Sequence, residues 1–360
     1  MPSPKKLKFK KLLGLLAEHQ ADELPFAVFC KPGEDTVNAL LQTDTELVLD
    51  PKLTGSGFHL APFSTGEPAV LIRPDFYYAA PLSGSAVPPV ATEIPEDPAA
   101  REIYSNAVAQ ALDRILDGQL QKVVLSRRFS VDFPLDVLQF TERLLLSHPE
   151  SFRFICYHPQ VGIWAAATPE TLLNYDGFNA RTMALAGTKP AGEEMPVWSD
   201  KERSEQALVY DHIRKCFAEV GVQDIAEESN TLRAGTLWHL NTTFSASLEP
   251  PAARALLRQL HPTPAVCGTP LERALELIEM LENYDREYYT GFAGPSGLDG
   301  EEHFSYYVVL RCLQIRNNRA LVYVGGGIVS GSVPDAEWSE TVAKGATMLS
   351  LLQEQGDSME

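Results

Sequence analysis

The chain has 360 residues, with 48 Asp and Glu against 30 Lys and Arg and a net charge of −18. A hydrophobic content of 44% beside 22% charged residues is globular composition and excludes wholesale disorder. The negative balance argues against a nucleic-acid partner, which needs clustered Lys and Arg, and no apolar run approaches the roughly 20 residues of a membrane span.

In chain order, Lys5, Lys6, Lys8, Lys10 and Lys11 precede Leu12, Leu13, Leu15 and Leu16, the pattern of an amphipathic first helix. No small-residue cleavage site follows, so no signal peptide is expected. Short strands are predicted over residues 26–30, 47–49 and 69–72. Five prolines within 81–98 mark a junction between an N-terminal portion, residues 1–98, and a main body, residues 99–356. The main body opens with a helix whose apolar face comprises Ile103, Ala107, Val108, Ala111, Leu112, Ile115 and Leu116, with Gly118 at its C-terminal cap. A strand over 122–127 and a helix over 136–146 follow. Strands are predicted over 152–157, 163–167, 171–175 and 180–186, then a helix over 200–220 and a strand over 238–248. The remainder reads as a helix over 270–281, two long strands over 304–315 and 320–329, and a last helix over 338–353. Strands come in groups with helices between the groups, which is an α+β pattern with a large antiparallel or mixed sheet. Five scattered cysteines without a CxxC pair read as reduced thiols of a cytoplasmic protein.

Chemistry is concentrated in a few places. Glu202 and Glu205 lie three apart on one predicted helix, and Glu337 and Glu340 do so on another. Such pairs suit solvated helix faces of an acidic protein, and they equally suit a clamp for a hard divalent cation such as Mg²⁺. Gly325, Gly326 and Gly327 suit either a tight turn at a sheet edge or close approach of backbone N–H groups to an anion. Lys122 begins a strand, where lysine is usually exposed. As a base it would have to be neutral, which demands burial or nearby cations. Glu170 follows Thr168 and Pro169, and His239 reads as a half-buried strand residue.

Together these segments resemble the chorismate-utilising enzymes, and among them the isochorismate synthases. The resemblance rests on Lys122-Val-Val-Leu-Ser-Arg127, Ala167-Thr-Pro-Glu170, Ala184-Leu-Ala-Gly187-Thr-Lys-Pro190, Lys201-Glu-Arg-Ser-Glu205 and His261-Pro-Thr-Pro-Ala265-Val-Cys-Gly268. It continues through Arg286-Glu-Tyr-Tyr289-Thr-Gly291, Arg311-Cys312, Gly325-Gly-Gly-Ile-Val329 and Glu337-Trp-Ser-Glu340-Thr-Val-Ala-Lys344. It implies a large duplicated sheet with outer helices, the first 98 residues being a divergent portion of the same fold.

The resemblance also implies roles. Lys122 is expected as the base that activates water and Glu170 as the acid that protonates the leaving C4 oxygen of chorismate. Glu205 and Glu340 are expected as Mg²⁺ ligands, with Glu202 and Glu337 contributing directly or through water. Arg311 and Tyr289 are expected on the enolpyruvyl carboxylate, and Gly187, Gly327, His239, Ala265 and Lys344 around the substrate. Lys122 favours water over ammonia as nucleophile, so no glutaminase subunit is expected. Ala265, where salicylate synthases tend to carry Thr, favours release of isochorismate, for menaquinone or siderophore biosynthesis. A monomer is the expected state.

Overall fold

The structure, a computed structural model, describes residues 3–87, 94, 97–134, 136–191, 194–234 and 237–352. Pro88, Pro89 and Pro95 of the proline-rich junction and residues 353–356 lie outside the described residues.

Two sheets are built, with strands numbered in chain order. The first runs β1 (Lys5–Lys6), β7 (Phe76–Pro81), β3 (Thr36–Leu41), β2 (Phe26–Cys30), β9 (Phe152–His158), β10 (Gly162–Thr168), β18 (Cys312–Arg316), β19 (Arg319–Val329), β8 (Lys122–Asp132) and β15 (Gly268–Thr269). The second runs β13 (Ala226–Ala234), β14 (Leu237–Ser247), β12 (Asn179–Pro190), β11 (Thr171–Tyr175), β17 (Phe304–Val308), β16 (Phe292–Ser296), β5 (Gly57–Ala61), β6 (Ala69–Ile72) and β4 (Val48–Asp50). The helices are α1 (Phe9–Ala21), α2 (Pro98–Leu116), α3 (Val137–Leu146), α4 (Asp200–Glu219), α5 (Pro250–Leu260), α6 (Leu271–Leu281) and α7 (Pro334–Leu352). Among the described residues no helix is long and apolar enough to cross a membrane.

The sheets face each other through an aromatic layer of Phe29, Phe58, Phe152, Phe154, Trp164 and Tyr307. Phe152 of the first sheet stacks on Tyr307 of the second with centroids 4.0 Å apart, a contact of about 0.5–1.5 kcal/mol beyond its buried area. The outer face of the first sheet is covered by α1, α3 and α7, and that of the second by α4 and α5. Helices α2 and α6 cover β8. The first 98 residues supply strands to both sheets: β2 pairs with β9, and β5 pairs with β16.

Three expectations are corrected. Residues 304–315 form two strands in different sheets, not one. β17 ends at Val308, the chain crosses between sheets, and β18 begins at Cys312. The crossing turns at Arg311, whose φ is +46°, and this places its side chain between the sheets. The three glycines lie inside β19, paired with β8, and not at a turn. Ile103 and Leu116 are exposed, while Tyr104 takes the buried position on that helix, because the described apolar stripe of α2 follows Tyr104, Val108, Ala111 and Ile115. Several elements had no clear sequence signal. β16 contains Gly294 and Pro295, which usually break strands, and α5 opens on two prolines in its first turn, where proline is tolerated.

Candidate active site

A cavity between the two sheets is lined by Glu170, Gly187, Glu205, His239, Ala265, Tyr289, Arg311, Gly327 and Lys344. All nine are among the residues that the sequence motifs single out, and they come from β12, β14, β19, α4, α7 and the loops between strands. Val124, Pro169, Leu185, Thr290 and Tyr323 complete much of its wall. The strand β8 starts at Lys122, which pairs with Val329 of β19 and Thr269 of β15. Being thus inside a sheet and under α4, Lys122 is wholly buried, against the usual exposure of a strand-start lysine.

The four predicted glutamates each face a lysine side chain. Lys122 Nζ lies 2.9 Å from Glu205 Oε1, and Lys344 Nζ lies 2.7 Å from Glu340 Oε1. Lys201 Nζ donates to Glu337 Oε1 at 2.6 Å, and Lys189 Nζ lies 3.6 Å from Glu202 Oε2. Lys344 also donates to the Gly325 carbonyl at 3.0 Å. Burial raises the pKa of Glu337, reinforced by Glu340 and opposed by Lys201. Burial works against the charge on Lys201, but Glu337, Glu340 and Glu205 outweigh it and its pKa is raised.

Glycines let these groups approach. A Cβ on Gly327 would fall 2.3 Å from Glu205 Oε1 and 3.0 Å from Lys122 Cε. Gly327 therefore makes room for a carboxylate and a lysine side chain, and the run lies within a strand rather than offering N–H groups at a turn. Gly187 has φ +70° at a bulge in β12, and a Cβ there would meet the Cβ of Glu202 at 2.9 Å.

Glu170 is almost fully buried. Burial pushes its pKa up to about 8, against the lowering effect of Lys122 and Lys344. Arg311 is shifted the other way, to about 10, by burial. Arg311 donates to His239 Nε2 at 2.8 Å. A guanidinium can only donate, so Nε2 is the acceptor and the ring carries its proton on Nδ1, facing Thr188 Oγ1 at 3.3 Å. Burial, Arg311 and Lys344 together hold the His239 pKa well below its ordinary value, so this ring is neutral. Tyr289 is buried and stacks on Tyr323, and burial raises its hydroxyl pKa.

The donor set suits a hard divalent cation. Glu337 Oε2 is buried with no hydrogen-bond partner, and α4 and α7 present Glu205 and Glu340 beside Lys122 and Lys344. As arranged here, no three acidic, His or Cys side chains among the described residues converge on one point. Glu202 has another occupation: its Oε2 accepts from Ser199 N at 2.8 Å and Ser199 Oγ at 2.5 Å, closing a capping box at the start of α4. The pattern Ser199-x-x-Glu202 was a signal for that role. Lys201 received no role from sequence, although it stands one helical turn before Glu205.

Residues 79–350 match the family described as chorismate binding enzyme. The chain is 32% identical over 262 residues to isochorismate synthase EntC of Escherichia coli K12, covering 69% of this chain and 66% of that enzyme. It is 32% identical over 280 residues to isochorismate synthase DhbC of Bacillus subtilis 168, covering 69% of this chain and 67% of that enzyme. The matches thus span about two thirds of these curated relatives. The fold matches the solved structure of MenF, the menaquinone-specific isochorismate synthase of Escherichia coli, with a TM-score of 0.74 at 23% identity, covering 91% of this chain and 89% of that one. The two-sheet fold, the buried acid and lysine at its centre and these likenesses agree: the chain belongs to the chorismate binding enzymes, in the company of the isochorismate synthases.

Proposed function

We propose that the chain isomerises chorismate to isochorismate. Water adds its oxygen to C2 of the ring, the ring double bonds shift, and the C4–O bond breaks. Lys122 takes the proton of the attacking water, and Glu170 gives its proton to the departing oxygen, so that one water enters and one leaves. The observation that carries this reading is the burial of Glu170 in the cavity wall: burial raises its pKa to about 8, which favours a protonated carboxyl able to act as an acid at neutral pH. Arg311, with its planar fork, and Tyr289 bind the enolpyruvyl carboxylate. His239, neutral and fixed by Arg311, borders the ring without adding charge.

Glu205 and Glu340 would hold Mg²⁺, with Glu337 beside them and Glu202 supporting the start of α4. The metal supplies positive charge for the ring carboxylate and draws electron density from the ring. Lys344 and Arg311 add fixed positive charge, which a dianion needs inside a chain of net charge −18. The reading includes a cytoplasmic monomer working without a glutaminase subunit, and five buried cysteines without disulfides are compatible with a reducing setting.

Incubation with chorismate and Mg²⁺, followed by chromatographic separation of isochorismate, salicylate and anthranilate, tests the reading. Isochorismate as the main product supports it. Salicylate as the main product moves the chain to the salicylate synthases, and anthranilate overturns the choice of water as nucleophile.

A further inference from the structure

The wall of the cavity is tied from behind by one buried ion pair. Arg286 and Glu282 have side chains only 2% and 3% exposed, and Arg286 NH2 lies 2.6 Å from Glu282 Oε1. Every N–H of the guanidinium has an acceptor. Nε donates to Glu282 Oε2 at 2.8 Å and NH2 to Glu282 Oε1 and the Val124 carbonyl, the latter at 2.7 Å. NH1 donates to the Val266 carbonyl at 2.9 Å and to Thr290 Oγ1 at 3.2 Å. Glu282 in turn accepts from the backbone N and the hydroxyl of Ser126 at 2.7 and 2.8 Å.

The partners of the pair belong to three separate pieces of chain behind the wall. Val124 and Ser126 lie on β8, two and four residues from Lys122. Val266 is bonded to Ala265. Thr290 is bonded to Tyr289. Val124, Ala265, Val266, Tyr289 and Thr290 all line the cavity, whereas Arg286, Glu282 and Ser126 lie outside its lining. The guanidinium is planar and rigid, so its five bonds fix the three pieces relative to one another, which no single backbone contact does.

We propose that Arg286, held by Glu282, is a positioning residue for the isomerisation: it sets the spacing between the base Lys122, the Ala265 loop and Tyr289. The proposal rests on the assignment of chorismate isomerisation. Reactive geometry tolerates a fraction of an ångström, so a small relative shift of these pieces changes rate and product without unfolding the sheet.

Arg286→Lys tests this. It keeps the charge opposite Glu282 but can satisfy at most three of the five acceptors. Ser126→Ala is the milder companion: it removes the hydroxyl's bonds to Glu282 and to Tyr284 and leaves the guanidinium whole. Thermal melting, kcat, KM and the share of salicylate in the product are measured for both variants beside the wild type. The expected result for folded Arg286→Lys is a kcat lower by about 10²-fold, with a larger salicylate share and KM changed far less. Ser126→Ala is expected to shift kcat and product share in the same direction by a smaller amount. Should Arg286→Lys not fold, Ser126→Ala decides alone. A folded variant with lower melting temperature but wild-type kcat and product share overturns the proposal and leaves a purely structural ion pair. A wild type that forms no isochorismate overturns the functional assignment itself, and the proposal with it.

Discussion

Lys122 Nζ lies 2.9 Å from Glu205 Oε1, and the missing side chain of Gly327 is what allows it: a Cβ there would sit 2.3 Å from that same oxygen. Backbone φ at Gly327 is ordinary, so conformation does not require glycine; space does. Gly327→Ala is therefore expected to leave the strand pairing intact and to displace Glu205 and Lys122. Turnover should fall by roughly 10²-fold, the scale of a misplacement near 1 Å. Circular dichroism and chorismate turnover check it, and wild-type turnover in a folded Gly327→Ala protein would remove the crowding argument.

On the proposed mechanism, removing either Lys122 or Glu170 should slow the chemistry with the fold retained. Lys122→Ala and Glu170→Gln are each expected to lower kcat by about 10²-fold or more, with smaller changes in KM. Single-turnover assays with chorismate measure this. Near-normal turnover in either variant would assign that step to another residue.

Glu170 also sets a pH dependence with a definite sign. Its pKa is raised from 4.5 to about 8 by burial, so between those values the folded state binds a proton that the unfolded state has released. Stability from this group is full below pH 4.5 and is lost as pH rises toward 8. Glu170→Gln should melt at a higher temperature relative to wild type at pH 8 than it does at pH 5. In the wild type, kcat/KM should fall on the alkaline side with an apparent pKa near 8, as the acid loses its proton. A rate that keeps rising past pH 9 would contradict protonated Glu170 as the acid.

Metal dependence follows from the carboxylates. Chelation by EDTA should abolish turnover and added Mg²⁺ should restore it. Glu340→Gln should raise the Mg²⁺ concentration needed for half-maximal activity by tenfold or more, about 1.4 kcal/mol of lost affinity. Full activity in excess EDTA would discard the assignment of Glu205 and Glu340.

Product choice is the last. Ala265 stands in the cavity wall beside Val266. Ala265→Thr adds a hydroxyl and a branched β-carbon to that wall, where, on the proposed function, they would crowd the enolpyruvyl arm that has to stay extended for isochorismate to leave intact. The variant should isomerise more slowly and release a larger share of salicylate, read by its fluorescence. An unchanged product ratio with lower melting temperature would make the position ordinary packing.

How far the residues could be read without coordinates differs from group to group. The helices α3, α4 and α6 and the strands β9 to β12 follow from local periodicity and turn residues, because these act over a few positions along the chain. The order of several short motifs singles out Glu170, Arg311, Tyr289 and Lys344, and the structure brings all four to one cavity wall, although no single motif gave the burial of Glu170.

Other features exist only in three dimensions. The strand-like segment 304–315 cannot reveal that the chain leaves one sheet at Val308 and enters the other at Cys312, since both halves satisfy the same strand pattern. The three glycines have the composition of a turn, and only the packing of α4 over β19 shows that Gly327 makes room for Glu205. Lys201 and Glu337 are 136 positions apart, and so no spacing rule joins them. Arg286 joins Val124 across 162 positions for the same reason. The amino-acid order by itself determined the acidic composition, the α+β grouping and the chemical types gathered for a dianion. Tertiary structure alone decided which carboxylate meets which ammonium, because charge pairing and desolvation depend on distances between segments that the chain order leaves open.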